Sequence, residues 1–324
     1  MGSHAATLLV PGGIERLTGG NVYDGVMVAA LRSRGWHVDV ADGRPGSHVD
    51  VVIQDSLSIR SGPPDGGAPL VPLFHQIPSD ADGGEDLRPA EDAVLRRSSA
   101  AIAVSNHIAQ AVSERSDVRV AVIPPGWDRA WAHRRSERGE VLCVANATPV
   151  KAIPDALEAF HRAELAHATF TLVGDARRDR SEGRRIEAAA SAGPSAVSLP
   201  GVLPPAALAD RYASARVLVS ASRYEGWPIA IAEAMASAVP VVAFDIPGVR
   251  ELVRDGIDGL LVEPGDVDSL AASLRRLWDE PSLRSKMGSE ASRRARAWPT
   301  WQDSEGRFVE VIEAVVDGYR ESSR

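Results

Sequence analysis

Short apolar runs recur along the chain, and stretches with helical spacing fall between them. Residues 6–10 (Ala-Thr-Leu-Leu-Val) read as a buried strand, followed by a loop holding Gly12, Gly13, Gly19 and Gly20. Residues 21–34 place Val22, Val26, Ala29 and Ala30 three to four apart, which predicts a helix closed by Gly35. Further runs predict strands at 38–40, 49–53, 70–74, 101–104 and 118–123, with a helix at 88–98. Continuous apolar strands alternating with helices imply a parallel sheet covered on both faces.

The stretch from Pro124-Pro125-Gly126 to Gly139 is polar and turn-rich, and the domain junction is placed there. The alternation then restarts. Strands are expected at 141–145, 169–173, 195–199, 217–220 and 241–244, and helices at 153–162, 184–191, 205–213, 228–237 and 267–279. The segment 302–319 is amphipathic, with Phe308, Val311, Ile312 and Val315 on one stripe. The reading is therefore α/β, with two Rossmann-like, doubly wound domains at 1–135 and 136–300, a central cleft between them, and a terminal helix at 301–324 crossing back to the first domain. Ligands of such sheets bind beyond the carboxyl ends of the strands.

Composition narrows the function. The 324 residues suit two domains. A net charge of -8 argues against a nucleic-acid partner. The single cysteine, Cys143, lies in an apolar run and reads as a buried thiol in a reducing cytoplasm. No run approaches a membrane span, and no signal peptide is visible. Membrane association is not expected: Arg96 and Arg97 share a helix, but Glu85, Asp86, Glu91 and Asp92 precede them.

The most informative stretch is Glu225-Gly226-Trp227-Pro228-Ile229-Ala230-Ile231-Ala232-Glu233-Ala234-Met235-Ala236. Pro228 suits a helix start. Glu233 stands inside an apolar helix, where an unpartnered carboxylate is costly, so a polar group must meet it. Sugar or ribose hydroxyls would serve, with Glu225 in the loop beside them and the helix N-terminus open to a phosphate. The plainer alternative is that Glu225 caps the helix and Glu233 pairs with an internal arginine.

The segment resembles the Glu-x7-Glu motif of retaining glycosyltransferases, most closely glycosyltransferase family 4 with the GT-B fold. The resemblance extends through Ile123-Pro124-Pro125-Gly126-Trp127-Asp128, Leu172-Val173-Gly174-Asp175, Pro240-Val241-Val242-Ala243, Asp245-Ile246-Pro247-Gly248, Asp255-Gly256, Gly259-Leu260-Leu261-Val262 and Pro264-Gly265-Asp266. It implies that Glu225 contacts the donor sugar, Glu233 the ribose, and the backbone at Gly226, Trp227 and Ile229 the sugar and phosphate. Pro228 replaces a common glycine and has no N–H to give. Lys151 takes the place of one member of a basic pair that clamps the diphosphate; alone it would read as an ordinary helix-entry lysine. Asn146 stands where the other member is usually arginine, and it cannot neutralise charge.

In the first domain the resemblance puts Gly19 and Gly20 at the donor phosphate and His75 near the transferred sugar; a plain turn and a satisfied loop histidine are the alternatives. Gly201 and Val202 resemble the base-binding loop. Loops at 12–17, 60–67 and 78–86 are expected acceptor contacts.

The implied activity is retaining transfer from a nucleotide sugar, UDP-sugar first, to a hydroxyl of a soluble small molecule. His75, Lys151 and Glu225 are the catalytic candidates, with no metal and no cofactor. A nucleotide-sugar epimerase-like enzyme and a catalytically silent nucleotide-sugar-binding protein remain as alternatives. A nicotinamide dehydrogenase is disfavoured, because Pro11-Gly12-Gly13-Ile14-Glu15-Arg16 is not Gly-x-Gly-x-x-Gly.

Overall fold

A computed structural model describes residues 4–15, 18–81, 84–127 and 139–322. The chain divides into two compact units, Met1–Gly126 with Pro299–Arg324, and Trp127–Trp298. The expected boundary between 135 and 136, Asp128 of the motif, and parts of the loops at 12–17 and 78–86 lie outside the described residues.

The first unit runs β1 (Ala5–Leu9), α1 (Gly19–Ser33), β2 (His37–Ala41), β3 (Val51–Asp55), β4 (Leu70–Phe74), α2 (Pro78–Ala81), α3 (Arg88–Arg97), β5 (Ala101–Ala103), α4 (Asn106–Ser113) and β6 (Val120–Val122). Its strands form one sheet in the order β2-β1-β3-β4-β5-β6, parallel throughout. Every residue of β3 and β4 is buried, as expected of central strands covered on both faces. The chain adds β2 on one side of β1 and then returns to add β3 on the other, so the strand order reverses between β1 and β3.

Helix α1 starts two residues earlier than its apolar spacing predicts. Thr18 caps it, its Oγ1 accepting from the Asn21 N–H at 3.1 Å. Gly19 and Gly20 are therefore the first helical residues and not a loop before the helix. Helix α4 was not expected; Ser105 caps it, and Ile108, Ala109 and Val112 form its buried face.

The second unit runs β7 (Glu140–Val144), α5 (Ile153–Ala163), β8 (Thr169–Val173), α6 (Arg180–Ser191), β9 (Ala196–Gly201), α7 (Pro205–Ser214), β10 (Ala215–Ser220), α8 (Ile229–Ala236), β11 (Val241–Phe244), α9 (Pro247–Arg250), β12 (Gly259–Val262), α10 (Val267–Asp279) and α11 (Pro281–Ala295). The sheet order is β12-β11-β10-β7-β8-β9. Numbered within the unit, this is the order of a dinucleotide-binding sheet, with its reversal between β7 and β10. One apolar core spans the unit, from Val141 and Phe170 through Phe244 to Ala291 and Ala295. Cys143 belongs to that core, and burial pushes its thiol up to about 12.

Helix α12 (Trp301–Ser322) returns to the first unit. It buries Phe308, Val309, Ile312 and Val316. Tyr23 of α1 packs against Trp301 and Phe308, and Ser304 Oγ donates to the Pro124 carbonyl at 2.7 Å. Among the described residues no helix is long and apolar enough to cross a membrane.

Candidate functional site

In the second unit, the expected donor residues converge at the reversal of strand order. β7 leads through Ala145 and Asn146 into a short 3-10 helix at Pro149–Lys151. β10 leads into the loop that ends at Pro228, the cap of α8. Lys151 Nζ donates to Glu225 Oε1 at 2.7 Å. One residue before Lys151 and two before Glu225, the Arg223 N–H donates to the Val150 carbonyl at 2.8 Å. Arg223 also pairs with Asp155 at 2.9 Å. The two loops are therefore latched by a backbone bond and one ion pair, and a second ion pair ties the loop after β10 to the first turn of α5.

Lys151 is followed by Ala152 in the left-handed region, φ 42°, a conformation that costs roughly 1–2 kcal/mol for a residue with a Cβ. The kink lets the 3-10 helix end and α5 begin at once, which sets Lys151 at the mouth of the sheet. Across from it, α8 has no side-chain cap. The N–H groups of Ile231 and Ala232 both reach back to the Pro228 carbonyl at 3.0 Å. Those of Ile229 and Ala230 have no acceptor within the helix and can serve an anion. Gly226 and Pro228 are buried, and Trp227 is half-buried against Trp298 at 6.1 Å between rings.

Among the described residues, Glu233 pairs with no arginine. It accepts from the Tyr212 hydroxyl at 2.8 Å. Burial pushes its carboxyl from 4.5 up to about 7, against the smaller opposing pull of the Tyr212 bond. Burial also holds the Tyr212 phenol well above its usual value, so it stays a donor. Asn146 braces the sheet edge, where its Oδ1 accepts from the Asp175 N–H at 2.8 Å and so joins the ends of β7 and β8. Gly174 makes that approach possible, because a Cβ there would lie 2.1 Å from the Ala145 carbonyl oxygen. The Gly174 N–H in turn donates to the Gly201 carbonyl at 3.0 Å. Gly201 closes β9 with φ 79°, and Val202 beyond it is 49% exposed.

In the first unit, Gly20 and His75 are neighbours: a Cβ on Gly20 would stand 3.2 Å from the His75 ring. Two carboxylates that the sequence pattern did not single out meet that ring. His75 Nε2 lies 2.9 Å from Asp24 Oδ1 and 3.3 Å from Asp55 Oδ2. Burial opposes the imidazolium, but Asp24 and then Asp55 outweigh it and hold the imidazole above its ordinary value. Burial pushes Asp55 up to about 7, despite the opposing pull of His75. No metal was expected; these three residues nonetheless bring one ligand-type atom each within 4.8 Å of one another. The signal for Asp24 was available, since it is a carboxylate on the buried face of α1 beside Tyr23 and Met27.

Residues 138–280 match the family described as Glycosyl transferases group 1. The chain is 38% identical over 110 residues to a D-inositol 3-phosphate glycosyltransferase of Thermomonospora curvata, covering 34% of this chain and 25% of that protein. It thus spans about a quarter of the length of the curated relatives it matches. Sucrose-phosphate synthase from Thermosynechococcus elongatus superimposes with a TM-score of 0.84 at 19% identity, over 97% of this chain and 100% of that one. Anabaena HepE, solved with UDP and glucose, superimposes with a TM-score of 0.79 at 18% identity, over 96% and 100%. The fold is GT-B.

Proposed function

We propose that the protein is a glycosyltransferase that takes its sugar from a nucleoside diphosphate sugar held by the second unit. The observation that carries this is the pairing of Lys151 with Glu225 where the strand order reverses, beside the open N-terminus of α8. A lysine and free helix N–H groups suit a diphosphate leaving group. Carboxylates at Glu225 and Glu233 suit the hydroxyls of the sugar and the ribose. With the diphosphate bound, Lys151 exchanges part of its bond to Glu225 for phosphate oxygens, and Glu225 turns to a sugar hydroxyl.

Chemistry in this reading is departure of the diphosphate from the anomeric carbon, which develops oxocarbenium character. Lys151 and the α8 N–H groups stabilise the charge that forms on the leaving oxygen. Attack by an acceptor hydroxyl on the same face keeps the anomeric configuration, with the departing phosphate accepting the hydroxyl proton. Glu225 orients the sugar and forms no bond to it. Charge neutralisation by Lys151 and the helix gives a route that needs no metal. UDP is the favoured nucleotide and a soluble hydroxylated small molecule the favoured acceptor. Gly201 and Val202 would lie along the base.

The test is calorimetric titration with UDP, GDP, ADP and dTDP and their sugars, on the intact protein, Lys151→Ala and Glu233→Ala. One nucleotide should bind, and both substitutions should weaken it. Failure of all four to bind, or binding indifferent to both changes, would refute the donor site. An α-linked donor giving a β-linked product, read by proton NMR, would refute retention.

A further inference from the structure

The sequence pattern assigns Asp24 no role, yet it is fully buried and its carboxylate makes the shortest polar contact to His75. We propose that Asp24 is a positioning residue: it fixes His75 as an imidazolium with Nε2–H directed into the first unit, so that Nδ1–H is presented to an anionic oxygen of the substrate. The inference rests on the transferase reading for the identity of that substrate.

The geometry around the ring supports this orientation. His75 follows β4, and its backbone N–H donates to Ser56 Oγ at 3.3 Å, which anchors the residue to the turn after β3. Nε2 faces Asp24 from α1 and Asp55 from the end of β3. The edge of the ring lies against Gly20, and Tyr23 packs on it at 5.3 Å in a T-shaped arrangement. Among the described residues, the titratable groups facing the ring are Asp24, Asp55 and Tyr23. Tyr23 is neutral, since burial holds its phenol well above the usual value, and its hydroxyl donates to the Ile123 carbonyl at 3.0 Å.

Both carboxylates lie on the Nε2 side. Among the described residues nothing bonds Nδ1, and the side chain keeps 14% exposure. A neutral imidazole with its proton on Nε2 would offer only a lone pair at Nδ1, and would repel an anion. Two carboxylates stabilise the second proton and convert Nδ1 into a donor. Asp24 Oδ2 has no partner in its buried setting, so Asp24 carries a local cost that the bond to His75 offsets.

The experiment is a proton–nitrogen NMR titration of the full chain, with His75 assigned by its absence in His75→Gln. In the unaltered protein at pH 7, both ring nitrogens of His75 should be protonated. In Asp24→Asn the His75 pKa should fall by about one unit or more, and in Asp55→Asn by less, because Asp55 is the more distant partner. The alkaline limb of kcat/KM for nucleotide-sugar turnover should move down in pH by the same amount in each variant. A neutral His75 in the unaltered protein at pH 7 would overturn the proposal, even if Asp24→Asn fails to fold. So would a His75 pKa indifferent to Asp24, or an alkaline limb that stays in place while the pKa moves. Absence of nucleotide binding by the unaltered protein would remove the transferase reading instead, and the NMR titration would still decide whether Asp24 governs His75.

Discussion

Glu233 makes the protein's stability depend on pH in a direction opposite to that of most carboxylates. Its carboxyl is raised from 4.5 to about 7 in the folded protein. The folded state therefore keeps a proton that the unfolded chain releases near 4.5. The associated stability is fully present below pH 4.5 and is lost as pH rises to about 7. Across that interval, at about 1.4 kcal/mol per pH unit, the loss is about 3 kcal/mol. Glu233→Gln removes the ionisation but keeps an oxygen to accept from Tyr212. The variant should match the unaltered protein near pH 4.5 and exceed it by up to about 3 kcal/mol at pH 8. Urea denaturation of both proteins from pH 4.5 to 8.5 measures the difference. Parallel curves would refute the reasoning, because they would mean that Glu233 ionises in the folded state as it does in water. The same group predicts proton release when a ribose binds. Hydroxyls that donate to the carboxylate favour its charged form, so titrations near pH 6.5 in buffers of different ionisation enthalpy should show a fraction of a proton leaving per nucleotide bound. Glu233→Gln should abolish it.

Glu225→Gln should free Lys151 from its ion pair, tightening bare nucleoside diphosphate several-fold while slowing sugar transfer; a charge-assisted bond worth about 1.5–3 kcal/mol sets the scale, and calorimetry beside a turnover assay checks both arms. Gly174→Ala should prevent the second unit from folding, because its Cβ would sit 2.1 Å from the Ala145 carbonyl oxygen at a φ of 142°; loss of the cooperative transition by circular dichroism is the readout. Phe308→Ala should cost about 3–5 kcal/mol, as expected for an aromatic side chain that is 1% exposed, and it should lower the unfolding midpoint without changing nucleotide affinity.

The central strands of both sheets were legible because they are continuous apolar runs, and such runs survive any error in their exact ends; the edge strand β12, only four residues long, was not expected. The elements that escaped notice have weaker patterns. Helix α11 buries only Met287, Gly288, Ala291 and Ala295, mostly small residues that leave a faint hydrophobic stripe. Helix α4 is two turns long, too short for a period to declare itself. Gly19 and Gly20 disfavour a helix by propensity. Yet the cap from Thr18 starts the helix ahead of them, and the close approach of His75, 3.2 Å from where a Cβ would stand, favours a glycine at Gly20. At the site, Glu233 could be singled out because a charge inside an apolar helix demands a partner, and Glu225 because it lies in the loop that opens the same helix; Lys151 stood out only by its place in the family resemblance. The partner of Glu233 could not, since the helix carrying Tyr212 and the helix carrying Glu233 meet only in three dimensions. Asp24 and Asp55 carried the same signal, a carboxylate closing or interrupting an apolar run, and were legible by the argument applied to Glu233.

The return of α12 to the first unit fixes an order of events during synthesis. The second unit is contiguous from Trp127 to Trp298, and its entry and exit are tied where Trp127 Nε1 donates to the Trp298 carbonyl at 3.3 Å. It can close while the ribosome still holds α12. The first unit, although translated earlier, must wait with the Tyr23 face of α1 open until Trp301 and Phe308 emerge. The later-born half is therefore the first to finish, and the earlier one is the half that a chaperone would have to shelter.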